Sequence, residues 1–282
     1  MSSKLTIVTA VVITAIIAFS VGYYIHPAIT APQKTKTLWD TIKERGYIIV
    51  ATSPDWPPFE FIDPETNKLV GYEIDLMEAV AEKLGIEVKW KTMDFDAIIV
   101  AVKNGEVDLG VSGFSVTPDR LKEVLFTIPH VVTEVQLIMT KEKAEELGIT
   151  RLESLADIAK YNLVVGTGSG TTQEAELLDL VSKGVIPQSS VKSYKDFGMA
   201  LKDMEAGRID AVYAETPVTT WWISTEEVPL VVVYSRSYWP VAFVANKDAK
   251  VLVEKINAAL AELFASGEID NIKAKWNITT GL

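Results

Sequence analysis

Twice along this chain of 282 residues, a helix-spaced apolar run stops at a glycine and enters a strand through a β-branched residue and an aspartate. The stretches are Ala101-Val-Lys-Asn-Gly-Glu-Val-Asp108 and Met204-Glu-Ala-Gly-Arg-Ile-Asp210. Such helix–glycine–strand junctions are common in α/β proteins, but matched placement in two halves predicts a pair of similar lobes. Around the first junction, Tyr47–Ala51, Glu87–Lys91 and Val107–Val111 read as strands. Asp75–Leu84, stopped by Gly85, and Phe95–Asn104 read as helices. Turn residues at Pro64–Lys68 predict a small hairpin between Phe59–Ile62 and Leu69–Tyr72. Around the second junction the strands are Leu163–Gly166 and Ile209–Ala214, and the helices Gln173–Ser182 and Tyr194–Glu205. The apolar stretches Val135–Thr140 and Tyr238–Val244 fall where the chain would pass between lobes, and a final helix, Val251–Leu263, would return to the first. The expected organisation is one lobe from 38–134 and 245–282, a second from 141–237, and hinge crossings at 135–140 and 238–244.

Composition narrows the chemistry. A formal net charge of −11 and the lack of a basic stripe argue against nucleic acid. The chain has no cysteine, so disulfides, thiolate metal sites, cysteine nucleophiles and a lipid on an N-terminal cysteine are excluded. The two histidines are His26 and His130, too few for a histidine metal site or catalytic triad, and no cofactor is expected. After Lys4, the uncharged apolar run Leu5–Ile25 is long enough to cross a bilayer as a helix, which takes roughly 20 residues. Residues 1–26 are therefore either a cleaved signal peptide or a retained membrane anchor, and 27–37 a short tether extended by Pro27 and Pro32. Either reading puts the rest of the chain outside the cytoplasm.

In open α/β sheets, ligands sit beyond the carboxyl ends of the strands, so the residues just past each strand are the ones to read for chemistry. After Val107–Val111, Thr117 and Pro118 open a helix as cap and first residue, which puts Arg120 in its first turn. A cation there opposes the helix dipole at a cost of up to about 1 kcal/mol. An exposed arginine paired with Asp119 or Glu123 would tolerate that cost. Alternatively, the guanidinium, the helix N-terminus and the hydroxyls of Ser112 and Ser115 bind an anion, and a carboxylate suits the planar fork. After Leu163–Gly166, the loop Thr167-Gly-Ser-Gly-Thr-Thr172 could cradle an anion on backbone N–H groups, with Gly168, Thr171 and Thr172 at its turn. It lacks the lysine of a nucleotide loop. After Ile209–Ala214 comes Glu215, a candidate partner for an ammonium. Arg120 and Glu215 together match the two charges of a zwitterion. Trp56 and Phe95 could sandwich a side chain, although each alone is commonly core packing.

The stretches Ala51-Thr-Ser-Pro-Asp-Trp-Pro-Pro-Phe-Glu-Phe61, Gly71-Tyr-Glu-Ile-Asp-Leu76, Gly105–Arg120, Gly170-Thr-Thr172, Gly207-Arg-Ile-Asp-Ala211 and Gly267–Trp276 resemble, in this order, the extracellular solute-binding proteins of polar amino acid ABC transporters. The resemblance covers nearly everything after Thr37. It implies a two-lobed periplasmic-binding-protein (type II) fold. Each lobe is then a mixed, mainly parallel sheet flanked by helices. The implied partners are a free L-amino acid and an ABC transporter permease, with the protein acting as a monomer. It also implies that Arg120, helped by Ser115 and Thr172, takes the ligand α-carboxylate and Glu215 the α-ammonium. Trp56 and Phe95 would flank the side chain, and Ser112 and Gly113 line the floor. Two departures stand out. Ser53 occupies a position where many members have an Asp that reads the ligand side chain, and Glu215 replaces the commoner Asp. Asp55 and Glu73 are nearby acids able to compensate. A dehydratase acting on prephenate or arogenate, or a sensory ligand-binding domain, remains an alternative on the same fold.

Overall fold

The computed structural model describes residues 35–278, and from Thr37 onward the chain forms one compact unit. The leader or anchor expected at residues 1–26 lies outside the described residues. Among the described residues no helix is long and apolar enough to cross a membrane.

In chain order the strands are β1 (Tyr47–Thr52), β2 (Asp55–Trp56), β3 (Glu60–Ile62), β4 (Leu69–Val70), β5 (Glu87–Thr92), β6 (Leu109–Gly110) and β7 (Leu125–Phe126). They continue with β8 (Val131–Thr140), β9 (Val165–Gly168), β10 (Val191–Tyr194), β11 (Ala211–Glu215), β12 (Leu230–Val241) and β13 (Val244–Ala245). Two five-stranded sheets result, ordered β5-β1-β6-β13-β7 and β10-β9-β11-β8-β12, and β2-β3-β4 forms a separate small sheet. Both large sheets share one plan. Three parallel strands are followed by a strand running the other way, β13 in the first and β8 in the second, and then by a fifth antiparallel to that one. In each case the reversed strand is the one that has just arrived from the other sheet.

The repeated aspartates have matching structural work. Asp108 Oδ2 accepts from Ile49 N at 2.6 Å, and Asp210 Oδ2 accepts from Val164 N at 2.7 Å. Each carboxylate thus ties the start of its own strand to the neighbouring one. The backbone bonds Asp108 N to Ile49 O and Asp210 N to Val164 O complete both clamps. Arg45 pairs with Asp108 as well. Replacing Asp108 with Ala should lower stability by about 1–3 kcal/mol, because a buried carboxylate with a charged and a backbone donor is lost together. Denaturant unfolding, read at its midpoint, checks this.

Several boundaries differ from those read in the sequence. The segment Val191–Tyr194 is an edge strand, and the helix expected from Tyr194 begins at Phe197, capped by the Asp196 side chain on Met199 N. A second C-terminal helix, Glu268–Lys275, comes after Lys250–Ser266 and Gly267. The stretch 135–140, expected as a crossing, lies wholly within β8, paired to β11 on one side and β12 on the other. Its apolar residues are a central strand covered on both faces, so the apolar run marks a sheet interior. The chain passes between the sheets after Phe126 and again after Val241. These two passages run side by side: His130 N donates to Val241 O and Thr127 N to Phe243 O, both at 3.0 Å.

Candidate functional site

The carboxyl ends of β1, β6, β9 and β11 converge on one cavity between the lobes, enclosing about 480 Å³ including space open to solvent. Trp56, Phe95, Ser112, Gly113, Ser115 and Arg120 line it from the first lobe. Gly168, Thr171, Thr172 and Glu215 line it from the second. Ten of the eleven expected residues therefore meet. Ser53 does not line the cavity. Its backbone N donates to Ser112 Oγ at 3.0 Å and its hydroxyl to Asp55 Oδ1 at 2.7 Å, so it stands behind Asp55.

Glu215 ends β11 and is almost wholly buried. Ser115 Oγ and Gln173 Nε2 both donate to its Oε1 at 3.0 Å, and Thr133 Oγ1 donates to its Oε2 at 2.9 Å. Burial pushes its carboxyl above the ordinary carboxylate value, while these three donors and the Arg120 charge pull it back. Arg120 is capped as expected: Thr117 Oγ1 accepts from Arg120 N at 3.2 Å. Its guanidinium donates to Ser115 O at 3.2 Å and Gly170 O at 3.1 Å, with Phe95 and Phe114 rings each 5.5 Å away. The Ser112 and Ser115 hydroxyls donate to Glu60 and Glu215. A hydroxyl beside a buried carboxylate satisfies the greater desolvation cost first.

The aromatic pair is present. Phe95 stacks on Phe114 at 4.8 Å, and Trp56 lies against Gly113, where a Cβ would stand 1.9 Å from the indole. Sequence reasoning missed Glu60, Gln173, Ser169, Lys195 and Phe197, which also line the cavity. Gln173 carried a faint signal as a polar residue at the start of the helix Thr172–Ser182, one position past the expected anion loop.

The family model of the bacterial extracellular solute-binding proteins, family 3, matches residues 48–279. The chain belongs to this family. Among similar proteins, the ABC transporter arginine-binding protein 1 of Escherichia coli (strain K12) is 30% identical over 79% of this chain and 88% of its own. An ancestral arginine-binding protein, solved with arginine bound, is 32% identical, covers 82% of this chain and 98% of its own, and superposes with a TM-score of 0.74. An ancestral amino acid-binding protein described as a precursor of cyclohexadienyl dehydratase is 28% identical over 85% of this chain and 99% of its own, with a TM-score of 0.73.

In this solute-binding protein, direct bonds join the lobes around the cavity mouth. Lys195 pairs with Asp94, Ser169 Oγ donates to Asp96 Oδ2 at 3.1 Å, and Phe197 N donates to Asp55 Oδ2 at 3.2 Å. The backbones also come close at Gly170, in a left-handed conformation with φ +73°, where a Cβ would lie 2.8 Å from Asp96 Cβ. Replacing Gly170 with Ala should therefore hold the lobes apart and weaken ligand binding by roughly tenfold, about 1.4 kcal/mol. Calorimetric titration checks this.

Proposed function

We propose that the protein is an extracytoplasmic receptor that captures a free L-amino acid and hands it to an ABC permease. In this reading Arg120 and the neighbouring Thr172 take the α-carboxylate, while Glu215 takes the α-ammonium. The observation that carries it is a buried, multiply hydrogen-bonded Glu215 facing the same cavity as Arg120. The names of the relatives, arginine-binding in the Escherichia coli protein and the solved ancestor, support it. The lobes close about the paired passages near 127–131 and 241–243, excluding water and strengthening the charge-assisted bonds. The N-terminal apolar run delivers the chain across the membrane as a leader or holds it there as an anchor.

A dissociation constant of about 1 μM, roughly −8 kcal/mol, suits a scavenger of dilute solute. Isothermal titration against the twenty amino acids tests the reading, and no binding to any of them sinks it. The dehydratase alternative asks Glu215 to give up a proton. Three donors already occupy its oxygens and, with the Arg120 charge, counter part of the burial that raises its carboxyl, an arrangement that also suits an ammonium partner.

A further inference from the structure

Strand β3 carries different chemistry on its two faces. Glu60 lines the ligand cavity, and successive side chains of a strand point to opposite faces, so Phe61 turns away from the ligand. There it meets two tryptophans. Its ring lies edge-on to Trp276 at 5.8 Å and is tilted by 49° against Trp221 at 5.4 Å. Trp276 belongs to the same lobe as Phe61, and Trp221 to the other. A second groove runs between the lobes at this point, about 480 Å³ including space open to solvent. Pro58, Trp276 and Ile278 form one of its walls and Pro217, Thr220 and Trp221 the other. All three rings are half-buried, so Phe61 and Trp221 touch across a separable surface and not inside a filled core. Each side of the contact is fixed to its own lobe. Phe61 is paired to β2 and β4, and Trp276 Nε1 donates at 2.6 Å to Asp75 Oδ2 on the helix Tyr72–Leu84. Trp221 is on the helix Thr216–Thr225, which starts directly after Glu215. Thr216 Oγ1 donates to Glu134 O at 3.0 Å and Thr219 Oγ1 to Gln136 Oε1 at 2.5 Å, which ties that helix to β8.

We propose that Phe61 and Trp221 form an aromatic clasp between the lobes and act as positioning residues for ligand capture. They hold the closed arrangement without touching the ligand, and so set its affinity but not the preference among amino acids. Glu215 supplies the link. It ends β11, and the helix that follows it is bonded to β8, the neighbour of β11, so Glu215 and Trp221 move as one piece. A ligand ammonium that draws Glu215 towards the first lobe brings Trp221 onto Phe61. Conversely, rings already in contact hold Glu215 opposite Arg120 before the ligand arrives, and apparent affinity rises with the share of molecules held ready. The contact differs in kind from those at the mouth. Lys195 and Asp94 are exposed charges that salt screens, whereas two stacked or tilted rings attract without a charge to screen.

The affinity part of this inference rests on the amino acid reading, and the test separates the two. The full chain is titrated calorimetrically with L-arginine and L-glutamine, and the separation of the lobes is measured without ligand. The chain has no cysteine, so Glu82→Cys and Lys202→Cys, both exposed and on opposite lobes, take a pair of spin labels whose distance is read by electron resonance. Trp221→Ala should weaken binding about three- to tenfold, leave the ratio between the two amino acids unchanged and lengthen the label distance. Phe61→Ala, on the other lobe, should do the same, and the double variant should be little worse than either single one, because both remove one contact. Trp221→Phe should recover most of the loss. Unchanged label distances, fully additive losses, or a changed ratio between the two amino acids overturns the clasp. Failure of the native protein to bind any of the twenty amino acids overturns the capture reading and the affinity part with it, whereas the clasp itself stands or falls on the label distances. Phe61→Ala decides the matter if Trp221→Ala fails to fold.

Discussion

Replacing Arg120 with Ala should weaken amino acid binding by roughly 2–5 kcal/mol, or about 30- to 5,000-fold. The loss comes from leaving the ligand carboxylate without its planar two-pronged donor inside a narrow cleft between the lobes, where water is a poorer substitute. Arg120 holds Ser115 O and Gly170 O on the two sides of the cleft, so truncation also removes one of the bonds across the mouth. Arg120→Lys keeps the charge but loses the fork, and an intermediate loss is expected. Titration of the native protein and both variants, with unfolding curves to confirm folding, gives the answer. Native-like affinity in Arg120→Ala would remove the arginine from the site.

Gly113→Ala should be damaging in a different way. The residue sits at φ +58°, and an added Cβ would meet the Trp56 ring at 1.9, 2.5 and 2.6 Å. A left-handed backbone costs an alanine roughly 1–2 kcal/mol, and the overpacking adds about 1–3 kcal/mol. Trp56 has little room to retreat, because its ring is 4.6 Å from Phe59, itself fully buried. The variant should therefore unfold at lower denaturant concentration and, where folded, bind ligand poorly, since the indole is forced into the cavity. Unchanged stability would mean that the floor is softer than the packing around Phe59 implies.

The parts of the fold legible in the sequence were those set by local chemistry. Gly85 and Gly105 mark helix ends because each comes after a complete apolar face, and Thr117-Pro118 marks a start because cap and ring act within one turn. The edge strand β10 was missed because Lys192 and Ser193 are exposed and polar, leaving no alternating pattern. The first crossing was misplaced because a strand buried on both faces and an apolar connector look alike until pairing is known, whereas the passage after Val241 falls within the expected 238–244. At the site, Arg120, Glu215 and Thr172 were found because strand ends of an open sheet point to one region. Glu60 was overlooked because it reaches the cavity beside Ser112, 52 positions away in the chain, which only folding brings alongside. Lys195 and Phe197 reach the cavity through contact between the lobes, which no local pattern encodes.

The side-by-side passages at 127–131 and 241–243 have a mechanical meaning. Two connections pinned together by two backbone bonds and by Phe243 N on Thr127 Oγ1 behave like a leaf spring: they bend and twist more readily than they slide past one another. Relative movement of the two halves is thus expected to be a swing about one axis that keeps these bonds. A ligand that bridges the halves then adds its bonds to the few already joining them at the mouth, so a molecule of amino acid size can decide whether the protein stands open or closed.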